Sequence, residues 1–186
     1  MATEYLLPNG DDSGWTTNGA STACSSGILS GTPTDGSFIE TTANEGDVIN
    51  IDLASVVTVD DAATVSSVSI RVRATSSNTS DGFLLDLIVG GAAQGTQFPQ
   101  SSLTTSFVTY TAVGSTQSWT TDYTAAQLNG AQVRITSTQS GKPGACDIRV
   151  SEVEVDITYT AGAVPAWGYY HVIKQVRRVW KTLLTM

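Results

Sequence analysis

From Ser37 to Thr160 this chain alternates apolar with polar residues, in short runs broken by clusters of Gly, Asn, Asp, Ser and Pro. A side-chain period of two suits only an extended strand with one buried face, so the pattern calls for antiparallel sheets rather than helices. Val68, Ile70, Val72 and Ala74 point one way, and Ser69, Arg71 and Arg73 the other. Phe83, Leu85, Leu87 and Val89 alternate with Leu84, Asp86 and Ile88, the more apolar pattern of a central strand covered on both faces. Further strands are predicted at Asp47 to Leu53, Thr104 to Val113, Ala131 to Thr138 and Ile148 to Thr160, with weaker ones near Tyr5 and Phe38. Turns fall at Asn44 to Asp47, Asn78 to Gly82, Gly90-Gly91 and Ser140 to Gly144.

In the last strand the apolar residues Ile148 and Val150 sit on even positions, whereas Val153, Val155, Ile157 and Tyr159 sit on odd ones. A β-bulge or a bend near Ser151 accounts for that switch. One short helix is expected around Ala125, Ala126 and Leu128, capped by Thr121-Asp122 or Thr124 and ended by Asn129-Gly130. Seven or eight such strands predict an all-β, antiparallel two-sheet β-sandwich, of jelly-roll rather than immunoglobulin type.

After Thr160 the text changes. AVPAWGYYHVIKQVRRVWKTLLTM is basic and helical in period, with Tyr169, Val172, Val176, Val179, Leu183 and Met186 three or four residues apart. The chain thus divides into a β-sandwich body, residues 1–160, and a linker with a C-terminal amphipathic helix, residues 161–186. Nine Lys and Arg oppose 17 Asp and Glu for a formal net charge of −8. Lys174, Arg177, Arg178 and Lys181 lie in the tail, so the body stands near −12 and the tail near +4. An acidic body excludes nucleic acid as its partner, because phosphate contacts need clustered bases.

The tail residues expected to anchor the protein are Trp167, Tyr169, Val172, Lys174, Val176, Arg177, Arg178, Val179, Trp180, Lys181 and Leu183. Three copies of the heptad stripe could bundle on a three-fold axis, or the helix could dock into a groove on another subunit. A lipid surface is not the expected partner, although a basic amphipathic helix has that chemistry. Pro165 enforces an extended step before the segment. The N-terminus has no basic start followed by an apolar run, which predicts a chain made without a secretory signal.

Cys24 and Cys146 are the only cysteines. They form no metal-ligand pattern, but a disulfide between them would stabilise by roughly 4 kcal/mol on the chain-entropy model. The single histidine, His171, lies in the tail, so a nucleophilic triad in the body is hard to build and no enzyme is expected. Asp11-Asp12 and Asp60-Asp61 read as solvated turn acids. Asp11, Asp12 and Asp35 offer oxygens to calcium but match no calcium motif, and no cofactor is expected. Trp15 and Trp119 have the chemistry to stack on sugar rings, but each adjoins strand and turn residues rather than other aromatics, so burial between the sheets is the favoured reading. Asn78-Thr79-Ser80 matches a glycosylation acceptor and reads as a turn.

Gly14-Trp15, then Thr34 to Glu40, Ser118-Trp119-Thr120, Thr124 to Asn129, Gln132 to Ile135 and Cys146 to Val155 occur in an order that resembles the β-sandwich virion proteins of tailed bacteriophages, such as head decoration (cement) proteins and fibre modules. The resemblance implies a non-enzymatic jelly-roll protein of a virus particle, assembled in the host cytoplasm, often trimeric, and bound to the major capsid protein or another virion subunit. The alternative is a carbohydrate-binding β-sandwich module of a tail fibre or adhesin, with a host-surface glycan as partner.

Overall fold

The structure, a computed structural model, describes residues 2–6, 8–11, 15–18, 35–36, 38–42, 45–54, 63–119, 123–139 and 146–160. Among these residues twelve strands and one short helix follow each other: β1 (Ala2–Leu6), β2 (Pro8–Asp11), β3 (Thr16–Asn18), β4 (Phe38–Thr41), β5 (Val48–Leu53), β6 (Thr64–Ser76), β7 (Asp81–Val89), β8 (Ala92–Ala93), β9 (Phe98–Gln100), β10 (Val108–Val113), α1 (Ala125–Leu128), β11 (Gln132–Gln139) and β12 (Ile148–Thr160). The first sheet has the order β10-β6-β12-β4-β3, with β1 beside the far half of β12. The second runs β2-β5-β11-β7, and β8 and β9 share the outer edge of β7.

All the pairings are antiparallel. From β4 onward the chain alternates between the sheets, except that β7, β8 and β9 follow one another in the second, so that β4-β12-β6-β10 faces β5-β11-β7-β9. That interleaving is the jelly roll, and it meets the expectation drawn from the sequence.

The buried side chains are those the alternation marks. Ile39, Val68, Ile70, Val72, Ala74, Ala112, Ile148, Val150, Val153, Val155 and Ile157 come from one sheet, and Ile49, Ile51, Leu53, Phe83, Leu85, Leu87, Val133 and Ile135 from the other. The register of β12 against β6 shifts between Val150 and Glu152, the bulge expected at Ser151. It lets both the even apolar residues before it and the odd ones after it face the core. β7 is paired on both edges, and Ile88 and Asp86 on its outer face are buried as well.

Helix α1 begins with a reciprocal cap: the Gln127 N–H donates to Thr124 Oγ1 at 3.3 Å, and the Thr124 N–H donates to Gln127 Oε1 at 2.8 Å. Gly130 at φ +78° ends it, in the left-handed region that glycine enters freely. The Asn78 side chain accepts from the Ser80 N–H and hydroxyl, so the glycosylation-like triplet is a turn that caps itself.

Two expectations need correction. The strand foreseen from Thr104 starts only at Val108, because residues 103 to 106 cross the end of the sandwich. There the Leu103 N–H donates to the Asp81 carbonyl, and Thr104 O accepts from Ser76 N and Thr75 Oγ1. Strands β2, β3, β8 and β9 were not foreseen; each is only two to four residues long and too short to carry a legible alternation.

Asp81 is fully buried at that same end. Its carboxylate accepts from Ser76 Oγ at 2.7 Å, Asn78 Nδ2 at 3.2 Å, Gln139 Nε2 at 3.0 Å and the Asp147 N–H at 2.9 Å. One side chain thereby ties the β6–β7 turn to the end of β11 and the start of β12.

Candidate functional site

The outer face of the first sheet carries most of the charged groups of the described body. Residues of β6 and β12 that alternate with the core residues point outward: Arg71, Arg73 and Thr75 from one, Arg149, Glu154 and Asp156 from the other. Register places Arg149 between Glu40 and Thr75, and Arg71 opposite Glu154. Arg71 pairs with Glu154 and, through Nε at 3.2 Å, with Asp156. Burial pushes the Asp156 carboxyl above its ordinary value, against the pull of the Arg71 charge.

Nearer the β4 side the face becomes aromatic. Arg149 Nε lies 3.2 Å from Glu40 and Nη2 lies 3.6 Å from Asp147, while its guanidinium sits 5.2 Å from the centre of the Phe38 ring. The Arg73 guanidinium is 5.9 Å from the centre of the Phe107 ring, and the two rings are 6.2 Å apart, tilted by 45°. Both contacts have the geometry of a cation over a π face. A groove of about 430 Å³ opens beside them, lined by Thr75, Ser76, Ser77, Thr105, Phe107 and Arg149.

Asp35 closes this region from above. Arg73 donates to its two oxygens from Nε and Nη2, each at 2.8 Å, and Ser151 Oγ donates to Oδ1 at 3.2 Å. The Arg73 hydrogen bonds hold the Asp35 carboxyl below its usual range, and Asp35 holds the guanidinium above its own. A depressed carboxylate favours the fold above the ordinary carboxylate pKa, and that contribution is lost as pH falls through the depressed value. Because Asp35 is 42% exposed, the pair orients the Arg73 head more than it stabilises the chain.

The outer face of the second sheet is hydrogen-bonded within itself, and among the described residues it contributes no aromatic ring. Gln132 Nε2 donates to Asp52 at 2.6 Å, Arg134 Nε to Asn50 at 3.0 Å and Gln97 Nε2 to the buried Asp86 at 2.9 Å. A smaller groove of about 240 Å³, lined by Phe83, Leu84, Pro99, Gln100, Ser101, Thr138 and Gln139, adjoins β9.

The residues singled out from the sequence fall elsewhere. Trp15 and Trp119 are 5% and 3% exposed and belong to the core, so neither offers a ring to a sugar. Asp35 gives both oxygens to Arg73, which removes it from the calcium set; Asp12, Asp60 and Asp61 lie outside the described residues, and only the backbone of Asp11 is described. Among the described residues no group of three or more His, Cys, Asp or Glu could hold a metal ion. Cys146 is a free, buried thiol that donates to Thr138 O at 3.7 Å, with its pKa raised by burial first and by the Asp81 charge second. Cys24 and the whole anchoring segment from Trp167 to Leu183 lie outside the described residues.

What sequence reasoning missed is the group Phe38, Glu40, Arg73, Phe107 and Arg149. The outward positions of Arg71 and Arg73 were legible, and the face switch at Ser151 fixed Arg149 as outward too. Neither pointed to the two phenylalanines, which reach the face from β4 and from the turn before β10.

No protein-family model matches the sequence, and no curated protein does. Solved structures do resemble the fold. The CBM36-1 domain of a multidomain xylanase from the hindgut metagenome of Trinervitermes trinervoides is 16% identical, with 87% of this chain and 100% of that one covered at a TM-score of 0.39. CBM35 from Cellvibrio japonicus Abf62 is 13% identical over 88% and 100%, at 0.42. The CBM22-1 xylan-binding domain of Paenibacillus barcinonensis Xyn10C is 12% identical over 86% and 95%, at 0.42. These are likenesses of chain path between carbohydrate-binding modules and this chain, and the assignment of its fold rests on the strand pairing above.

Proposed function

We propose that this protein is a non-catalytic glycan-binding module that holds a neutral sugar on the outer face of its first sheet. The observation that carries the reading is Arg149. Its guanidinium lies over the Phe38 ring, is bonded to Glu40, and forms the wall of the groove that Phe107 also lines. A pyranose presents C–H groups on its faces and hydroxyls around its rim, so it suits apolar ring surface set beside oriented donors and acceptors. Arg71, Arg73 and Arg149 are each matched by a carboxylate, and the body is acidic. An anionic sugar would have to displace those acids, which disfavours it against a neutral one.

A glycan array probed with the full chain tests this. Binding to neutral oligosaccharides is expected, and Phe107→Ala or Arg149→Ala should each weaken it at least about tenfold, the equivalent of about 1.4 kcal/mol, with the circular dichroism spectrum unchanged. Binding to no glycan, or equal binding by both variants, would overturn it.

A second reading is supported by the C-terminal segment, whose basic amphipathic pattern follows a body of opposite charge. In that reading the jelly roll is a structural accessory of a bacteriophage particle, decorating the capsid through an anchor in residues 161–186. Deleting that segment should leave the melting temperature of the body within a few degrees and abolish association with particles. A truncated body that still decorates them would exclude the anchor.

A further inference from the structure

We propose that the free edge of β10 pairs with the same edge of a second copy of this chain, joining two first sheets into one across a two-fold axis. β10 ends the first sheet, with β6 as its neighbour on one side only. The Gly114 N–H donates to Val68 O, and register then assigns the N–H and C=O groups of residues 108, 110 and 112 to β6. Those of Thr109 and Thr111 point the other way, and among the described residues nothing bonds to them. Edge strands are ordinarily guarded by lysine, proline or a bulge. This one has none: no Asp, Glu, Lys or Arg occurs between Asp86 and Asp122, and that stretch supplies β8, β9 and β10, the strands along one flank of both sheets.

Strand geometry chooses the partner, and charge sets only where it approaches. A second copy is acidic, near −12 over its body, so two bodies repel wherever their charged faces meet and approach best at the uncharged flank. An antiparallel strand pair is also self-complementary, as a two-fold interface requires. With Thr109 of one copy opposite Thr111 of the other, both copies satisfy both outward N–H and C=O groups, and threonines face threonines across the outer surface. On the inner side Val108, 40% exposed in the single chain, meets Ala112. The same register sets Val113, 46% exposed, beside Phe107 of the other copy.

Sedimentation of the full chain over about 1 to 100 µM decides the matter. A monomer–dimer equilibrium is expected whose association tightens between about 0.05 and 0.5 M salt, because salt screens repulsion between acidic bodies. Thr111→Pro removes an outward N–H while sparing those that bind β6, and should weaken the dimer at least tenfold with the fold retained. Thr109→Glu is the second variant. It places an acid beside Arg73 within one copy and two acids across the axis, so it should dissociate the dimer without unfolding the chain. A strict monomer, a dimer that both variants leave intact, or a trimer that weakens with salt would overturn the proposal, the last pointing to the basic tail as the assembly element.

Discussion

Asp81→Ala is expected to destabilise the fold by about 3 kcal/mol, because hydrogen bonds to a charged acceptor contribute about 1.5–3 kcal/mol each where burial keeps water out. The carboxylate accepts four hydrogen bonds and has no solvent exposure. Alanine would leave Ser76 Oγ without its acceptor in a buried place, and Asn78 Nδ2, Gln139 Nε2 and the Asp147 N–H without theirs in part-buried ones. Each stranded donor carries its own desolvation cost. Asp81→Asn keeps the volume but turns one acceptor into a donor facing other donors, so it should recover only part of the loss. Urea unfolding of the full chain would measure both. A change for Asp81→Ala within about 1 kcal/mol of wild type would show that the network is dispensable.

The second large effect is expected at Trp119. Its side chain is 3% exposed within the core, and its backbone N–H donates to Gly114 O at 2.9 Å. The chain approaches so closely here that a Cβ at residue 114 would stand 2.5 Å from Val68 O and 3.3 Å from the Trp119 ring. Trp119→Ala should cost about 3–5 kcal/mol through lost burial and the cavity left behind. Among the described residues the indole N–H has no hydrogen-bond partner, so Trp119→Phe loses volume alone and should cost less. Glycan affinity of the folded fraction should be unchanged in both variants. A selective loss of sugar binding at full stability would return Trp119 to the role of a stacking platform.

Much of the architecture was legible because it is written locally. The parity switch between Val150 and Val153 marked the bulge, and Thr124 was one of the two caps offered for the helix. Strand lengths and turn spacing favoured the jelly roll over other sandwiches. The face of arginines and phenylalanines was not legible, since Phe38, Arg73, Phe107 and Arg149 stand far apart in the chain and meet only through the register of β4, β12 and β6. For the tryptophans, the strand and turn residues beside them favoured burial over ring exposure, and both pack in the core. Asp35 looked like a loop acid until the fold brought Arg73 to it. The position of β10 at the edge of its sheet is likewise invisible in a pattern that reads as an ordinary strand.

Sugar is expected on the outer face of the first sheet, and backbone amide shifts of the full chain, followed while the strongest neutral oligosaccharide from the array is added, locate it. Movement confined to Phe38, Glu40, Thr75, Phe107 and Arg149 is the expected result. Movement centred on Asn50, Asp86, Gln132 and Arg134, on the opposite sheet, would contradict it.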